Sequence, residues 1–549
     1  MPRTKKIQKF LSAIFHKNWF WASLIFVLAL FLRLWQLETI PPGAWYDEAH
    51  NATDALTAIE NDQFPVYYPA NFGREGLFLN IVGWLICTFG NSNFVFRFFS
   101  AFCGSLAVAG LFLLARKLKL SQPVAFLASF ALATSFWHLN FSRIVFRAIM
   151  TPTLLIWSAF FFFWALEKRR WWQFILAGAT LGLGLHTYIS FRVAPFIFVG
   201  LAVALFFSTK NFFKKYWLGA LLFLFSSLLV AAPILFYFYK NLAEMTTRTG
   251  AVSVFNAPGL TPVQAISKSL FLHLDAFFFH GDPNQRHNHA SLPILPPVWA
   301  LFFAFGFLLS IKEIFFDVKK IYQKKPTGKF FLLAIFSQLS FWIMLLPGVL
   351  SIEGIPHMLR IIGAIPAVFL LTAFPFEYFF RLWKKLVHSE NLPLKRWREK
   401  TLKISLTGLI IIYCLTGLFQ LYLYFFIWAK NPKTLEAFEN RLYQIGRSIK
   451  TLSLKENNFF ITSPEINISQ DHRDSGLKTT HYSGWPEVKN FLFYSPSIEV
   501  LRDLPCQNTL YFFQQPDQWL LEQFQKKCPQ LQQKEILSPD GKYLFWIMQ

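Results

Sequence analysis

A chain of 549 residues with 54% hydrophobic, 19% aromatic and only 15% charged residues is too apolar for an ordinary soluble domain, which carries about 25% charged residues. The formal net charge of +23 would suit nucleic acid, but most Lys and Arg of the membrane-like part lie in short loops between apolar runs. No nucleic-acid module is recognisable, so that class is excluded. Five cysteines are too few for a disulfide framework.

Apolar runs of about 20 residues, each long enough to cross a bilayer as a helix, recur along the chain. Arg3, Lys5, Lys6, Lys9 and Lys17 place residues 1–17 in the cytosol by the positive-inside rule. The following hydrophobic segment is read as a retained anchor, because no small-residue cleavage site follows it. The run at 76–90 is short for a span. If it crossed, every later basic loop would fall outside. Left as a juxtamembrane helix, it puts them all inside: Arg116, Lys117 and Lys119; Lys168, Arg169 and Arg170; Lys210, Lys214 and Lys215; six Lys from Lys312 to Lys329; and eight Lys/Arg from Arg381 to Lys403. The expected spans are then 18–37, 94–116, 122–138, 150–167, 172–188, 191–208, 216–238, 294–312, 329–347, 358–380 and 402–428.

The expected fold class is therefore mainly α. It is a polytopic bundle of about 11 spans over 18–428, with an external first loop at 38–93 and a small extracytoplasmic α/β domain at 429–549. In that tail, β-rich runs at 459–461, 510–513 and 543–548 alternate with an amphipathic run at 516–527, and Ser538-Pro539-Asp540-Gly541 suits a hairpin turn. Cys506 and Cys528 could pair if the tail lies outside the cytosol; the sequence leaves that pairing open. Cys87, Cys103 and Cys414 read as packing residues.

The external loops carry the chemistry-bearing residues. The first holds Trp45-Tyr46-Asp47-Glu48-Ala49-His50 and later Asn71-Phe72-Gly73-Arg74-Glu75-Gly76. Asp47 and Glu48 suit a general base or a divalent-cation site; equally, acidic residues favour the first turn of a helix. Cations stand at other external helix ends: Arg143, Arg147, His186 and Arg192 near Tyr188, and His357 with Arg360. They suit a phosphate headgroup, or they snorkel to the interface. The segment His280-Gly281-Asp282-Pro283-Asn284-Gln285-Arg286-His287-Asn288-His289 invites a metal reading, but its spacing fits no defined zinc site; a polar loop folded over a cavity is the plainer reading.

This arrangement resembles the GT-C class of integral-membrane glycosyltransferases, and more closely the bacterial relatives of protein O-mannosyltransferases and of the aminoarabinose transferase acting on lipid A. The resemblance rests on the Asp47-Glu48 loop with its juxtamembrane helix and on Val95-Phe96-Arg97-Phe98-Phe99-Ser100-Ala101, similar to an Arg-x-x-Ser-Ala helix opening. It also rests on Gly182-Leu183-Gly184-Leu185-His186-Thr187-Tyr188 with Arg192 and Pro195, and on Pro356-His357-Met358-Leu359-Arg360. It covers roughly 18–428. Arg74-Glu75-Gly76 departs from the Lys-Pro pair that precedes this helix in the aminoarabinose transferases.

The resemblance implies an inverting transfer of a sugar from a polyprenyl-phosphate carrier to an acceptor on the extracytoplasmic face. A prokaryotic plasma membrane is the expected location because the sequence ends in no endoplasmic-reticulum retention signal, though an endoplasmic-reticulum enzyme would have the same topology. Asp47 would be the catalytic carboxylate, with Glu48 supporting it or helping to hold a metal. Arg192, Arg360, His186 and Arg74 would bind the donor phosphate; Tyr46, His50, Tyr188, His357, Arg286 and His287 would line the substrate cavity. No cofactor is assigned, and a divalent cation at Asp47 and Glu48 stays open. Sugar and acceptor, whether protein, lipid or glycan, are left open too. The rival reading is a transporter or flippase of lipid-linked sugars, which often shows inverted repeats or midplane breaks; no repeat is visible, and the ionisable residues gather at helix ends.

Overall fold

A computed structural model describes residues 17–388, 395–462, 477–494, 503–515 and 518–549. The expected cytosolic residues 1–16 and the first two residues of the run at 516–527 lie outside the described residues. The chain is a multi-span membrane protein. Among the described residues, eight helices are long and apolar enough to cross a membrane: Asn93–Lys117, Arg147–Lys168, Ile189–Ser208, Phe212–Lys240, Pro297–Tyr322, Phe331–Val349, Ile362–Lys385 and Lys400–Lys430. Each overlaps an expected span, although Pro297–Tyr322 runs ten residues past the expected end at 312.

The other three expected spans are shorter helices. α1 (Asn18–Leu34) stops before 37. The segment 122–138 divides at Ser135 into Gln122–Thr134 and Phe136–Phe141, and 172–188 ends as a helix at Gly184. The run at 76–90 forms a 14-residue helix, Gly76–Phe89, about 21 Å long at 1.5 Å per residue. That is short of the roughly 30 Å hydrocarbon layer, as is the 14-residue helix Trp171–Gly184.

The chain divides into two compact units. The first comprises Met1–Trp35, Pro65–Phe78 and Phe98–Ile427; the second gathers Gln36–Phe64, Leu79–Arg97 and Trp428–Gln549. Within the first, helix Ile362–Lys385 is the most enclosed, with 89% of its apolar window buried, against 17% for Phe212–Lys240. The latter leaves Trp217, Leu221, Phe225, Leu229 and Phe236 exposed. Such a continuous apolar surface is stable only against hydrocarbon or another apolar partner.

Arginines brace the first unit internally. Arg143, expected as an external cation, donates from Nη1 to the carbonyls of Leu32 (3.0 Å) and Arg33 (2.6 Å) and from Nη2 to that of Trp35 (2.8 Å). These are orphan acceptors at the C-terminal end of α1, where a cation also meets the negative end of the helix dipole.

The second unit carries a five-stranded sheet. Its strands are β1 (Asn457–Ile461), β2 (Phe491–Tyr494), β3 (Thr509–Phe513), β4 (Gln533–Leu537) and β5 (Leu544–Met548). The order is β2-β1-β3-β5-β4, with β1 parallel to both β2 and β3 and the remaining pairs antiparallel. Every residue of β3 is buried, because both faces are covered. Tyr511 and Phe513 meet Leu520, Leu521 and Phe524 of helix Gln518–Lys527 on one face, and Leu510 and Phe512 meet Ile445 and Ile449 on the other. The expected turn at Ser538-Pro539-Asp540-Gly541 closes the β4–β5 hairpin, with Gly541 at φ +71°. Strands β2 and β4 were absent from the sequence-based expectation.

Candidate functional site

In the first unit, the strand pair Tyr67–Tyr68 and Arg74–Glu75 leads into the helix that starts at Gly76. Gly73 between them has φ +85°, and a Cβ there would fall 1.8 Å from the Tyr67 hydroxyl; only glycine fits. The turn delivers Glu75 to a buried position, where its carboxylate accepts from Arg147 Nε at 2.8 Å and lies 3.5 Å from Arg192 Nη2. Arg147 stands over the Tyr188 ring and Arg192 over Phe238. Two cations that sequence reading took singly thus share one acid. Arg74 is itself buried, with Nε donating to the Ala70 carbonyl at 3.2 Å.

Beside this group lies a cavity of about 310 Å³ whose lining includes Tyr188, Ser190, Arg192, Ser351 and Arg360, with apolar walls from Val193, Val252, Phe255, Pro347 and Leu350. It brings Arg360 together with Tyr188 and Arg192, about 170 residues earlier in the chain. Arg360 also pairs with the exposed carboxylate of Glu353. The hydroxyls of Ser190 and Ser351 are buried and have no hydrogen-bond partner among the described residues. Sequence reading missed both serines; nothing in their local pattern distinguishes them.

His186 does not line this cavity; its Nε2 is 2.9 Å from the Val230 carbonyl. In the polar loop, Asp282 is buried and its Oδ2 lies 2.9 Å from His287 Nδ1. The same oxygen accepts from the Met358 backbone N–H at 2.9 Å, and Oδ1 accepts from Asn284 N–H at 2.8 Å. The ring of His357 is 4.9 Å from that of His287. Arg286, half-buried, accepts at its carbonyl from Asn140 Nδ2. The cluster able to hold a metal ion among the described residues is Asp282, His287 and His357; Asp47 and Glu48 are not part of it.

In the second unit, Asp47 and Glu48 open the helix Tyr46–Glu60. Glu48 is fully buried. Its Oε2 accepts from the Trp45 N–H at 3.0 Å, a helix-capping bond, and its Oε1 lies 3.7 Å from Arg97 Nε. Arg97 donates to the Pro41 and Gly43 carbonyls at 2.8 and 2.6 Å, fixing the turn before the helix. Asp47 is half-buried and accepts from the Trp45 indole N–H at 3.0 Å. One turn on, the Tyr46 hydroxyl lies 3.5 Å from His50 Nδ1, and His50 Nε2 lies 3.1 Å from Asp54. In the tail, Cys506 and Cys528 form a disulfide with Cα atoms 5.4 Å apart.

A family described as dolichyl-phosphate-mannose-protein mannosyltransferase matches residues 78–237, under a third of the chain. No curated protein matches the sequence. Among solved structures, the chain is similar to ArnT from Cupriavidus metallidurans in the apo state, at 11% identity and TM-score 0.49, covering 96% of this chain and 97% of that one. It is similar to the Archaeoglobus fulgidus oligosaccharyltransferase at 13% identity and TM-score 0.47, covering 86% of this chain; it spans 64% of that protein's length. The S. cerevisiae protein O-mannosyltransferase Pmt1-Pmt2 complex matches over 42% of this chain and 35% of that one, at 16% identity and TM-score 0.34.

Proposed function

We propose that this protein is an inverting glycosyltransferase that moves a sugar from a polyprenyl-phosphate carrier to an acceptor on the extracytoplasmic face of the plasma membrane. The observation that carries the reading is the cavity in which Arg192, Arg360 and two unpartnered serine hydroxyls meet apolar walls. Cations and hydroxyl donors beside hydrocarbon-like surface suit a phosphate carried on an apolar chain. The family match over 78–237, with its dolichyl-phosphate-mannose donor, supports the same substrate class.

In this reaction the acceptor oxygen or nitrogen forms a bond to the anomeric carbon while the bond to the phosphate oxygen breaks. The phosphate leaves with the electron pair, and the acceptor proton passes to a base. Arg192 and Arg360 stabilise the departing charge. Asp47, oriented by the Trp45 indole, is the base, and Glu48 holds the start of its helix. Tyr188 lines the same cavity, and Tyr46, His50, Arg286, His287 and His357 shape the sugar and acceptor environment. Residues 1–17 lie in the cytosol and the tail outside it.

The test is transfer from a radiolabelled polyprenyl-phosphate-sugar panel in membranes, comparing wild type with Asp47→Asn and Arg192→Ala. The expected result is a labelled product with wild type only, and that product identifies the acceptor class. Near wild-type transfer by Asp47→Asn removes the base assignment. No transfer from any donor, with protein-dependent movement of labelled lipid between leaflets, replaces the reading with a flippase.

A further inference from the structure

The geometry points to a zinc-class metal site at Asp282, His287 and His357, in which a bound divalent ion ties the 282–288 loop to the segment that carries Arg360. One donor atom from each of the three residues lies within 4.8 Å of the other two, with Asp282 and His287 buried and His357 half-buried. Two imidazoles and one carboxylate are a donor set that zinc takes when it keeps a fourth, open position. Nitrogen donors also argue against magnesium or calcium, which favour all-oxygen sites.

The ligands are held in place by other groups. Asp282 is anchored by the backbone N–H groups of Asn284 and Met358. His287 packs against the Phe141 ring at 5.4 Å. The backbone N–H of His357 donates to His273 Nε2 at 3.2 Å, while His273 Nδ1 donates to the Ser269 carbonyl at 2.8 Å. Outer partners of this kind orient a metal-ligating residue before the ion arrives. A tetrahedral zinc with bonds of about 2.0–2.1 Å wants its donors roughly 3.3 Å apart, so binding requires the three side chains to draw together. The two imidazole rings lie 4.9 Å apart.

The competing account is a metal-free pin in which Asp282 simply bonds His287 and Met358. The two accounts differ in what zinc does. His287 and His357 also belong to the sugar and acceptor environment of the transferase reading, but the metal proposal survives the failure of that reading, because its readout is metal content and melting rather than turnover.

The experiment strips the purified full-length protein in detergent with chelator, titrates it with zinc chloride, and measures bound zinc after desalting together with the melting temperature. The expected result is one tightly held zinc per chain and a melting temperature that rises with zinc concentration. His357→Gln and Asp282→Asn should weaken zinc by at least about 10-fold, and the exposed His280→Gln should retain it. Wild type that gains no zinc and no melting shift overturns the proposal, as does His357→Gln with wild-type zinc content. If a variant does not fold, the zinc dependence of wild-type melting decides.

Discussion

Glu48 Oε1 and Arg97 Nε stand 3.7 Å apart, with neither side chain exposed to solvent. Removing one partner of a buried pair strands the other charge, at about 3–5 kcal/mol. Glu48→Ala should therefore lose stability on that scale in denaturant unfolding of the purified protein, and also loses the cap on Trp45. Asp47→Asn, at a half-buried position, should stay within about 1 kcal/mol of wild type. Equal destabilisation by the two would refute this division of labour.

The Glu75 cluster predicts a second asymmetry. Glu75→Ala leaves the buried Arg147 without its acid and should cost about 3–5 kcal/mol. Arg192→Ala leaves Glu75 with Arg147, and the lost contact is longer and about a quarter exposed. Its stability cost should be nearer 1 kcal/mol, while donor binding weakens. Melting curves paired with donor saturation curves check both.

Gly43 has φ +71°, and a Cβ there would lie 2.5 Å from the Phe438 carbonyl. Gly43→Ala combines backbone strain with that clash and should cost about 1–3 kcal/mol or more. It should also disturb the Gly43 carbonyl that receives Arg97. Limited proteolysis of the second unit is the direct readout; an unchanged cleavage pattern would count against the strain argument.

Burial, with a smaller push from the Arg360 charge, lowers the pKa of His273, and its bond to the Ser269 carbonyl only partly opposes this. The unfolded chain then takes up a proton near pH 6.5 while the folded chain does not. This contribution to stability is full above about pH 6.5 and is lost as pH falls below it. Melting from pH 7 to 5 should show a shallower decline for His273→Gln than for wild type; identical slopes would assign the decline to other groups.

The membrane-spanning elements were legible because apolar length and loop charge are local signals, and all eight long apolar helices among the described residues overlap expected spans. Shorter helices were overextended where a polar bend such as Ser135 interrupts an apolar run without changing its composition. The cap formed by Glu48 was visible as the ordinary meaning of an acid at a helix start. Arg143 was not legible, since an arginine after a helix looks alike whether it meets a ligand or the carbonyls of Leu32 and Arg33. Long-range partners were hidden for the same reason: nothing near Asp282 announces His357, and Glu75 read only as a departure from a Lys-Pro pair.

The discontinuity of the second unit sets an order of events during synthesis. At about 5–20 residues per second, the ribosome delivers Gln36–Phe64 and Leu79–Arg97 on the order of tens of seconds before Trp428–Gln549. Asn91 Nδ2 must wait that long for the Tyr482 carbonyl it reaches at 2.6 Å, and the Ala44 carbonyl for the Thr479 hydroxyl at 3.1 Å. The segment bearing Asp47 therefore matures last although it is made early. A truncation in the tail would act as a lesion of the first loop.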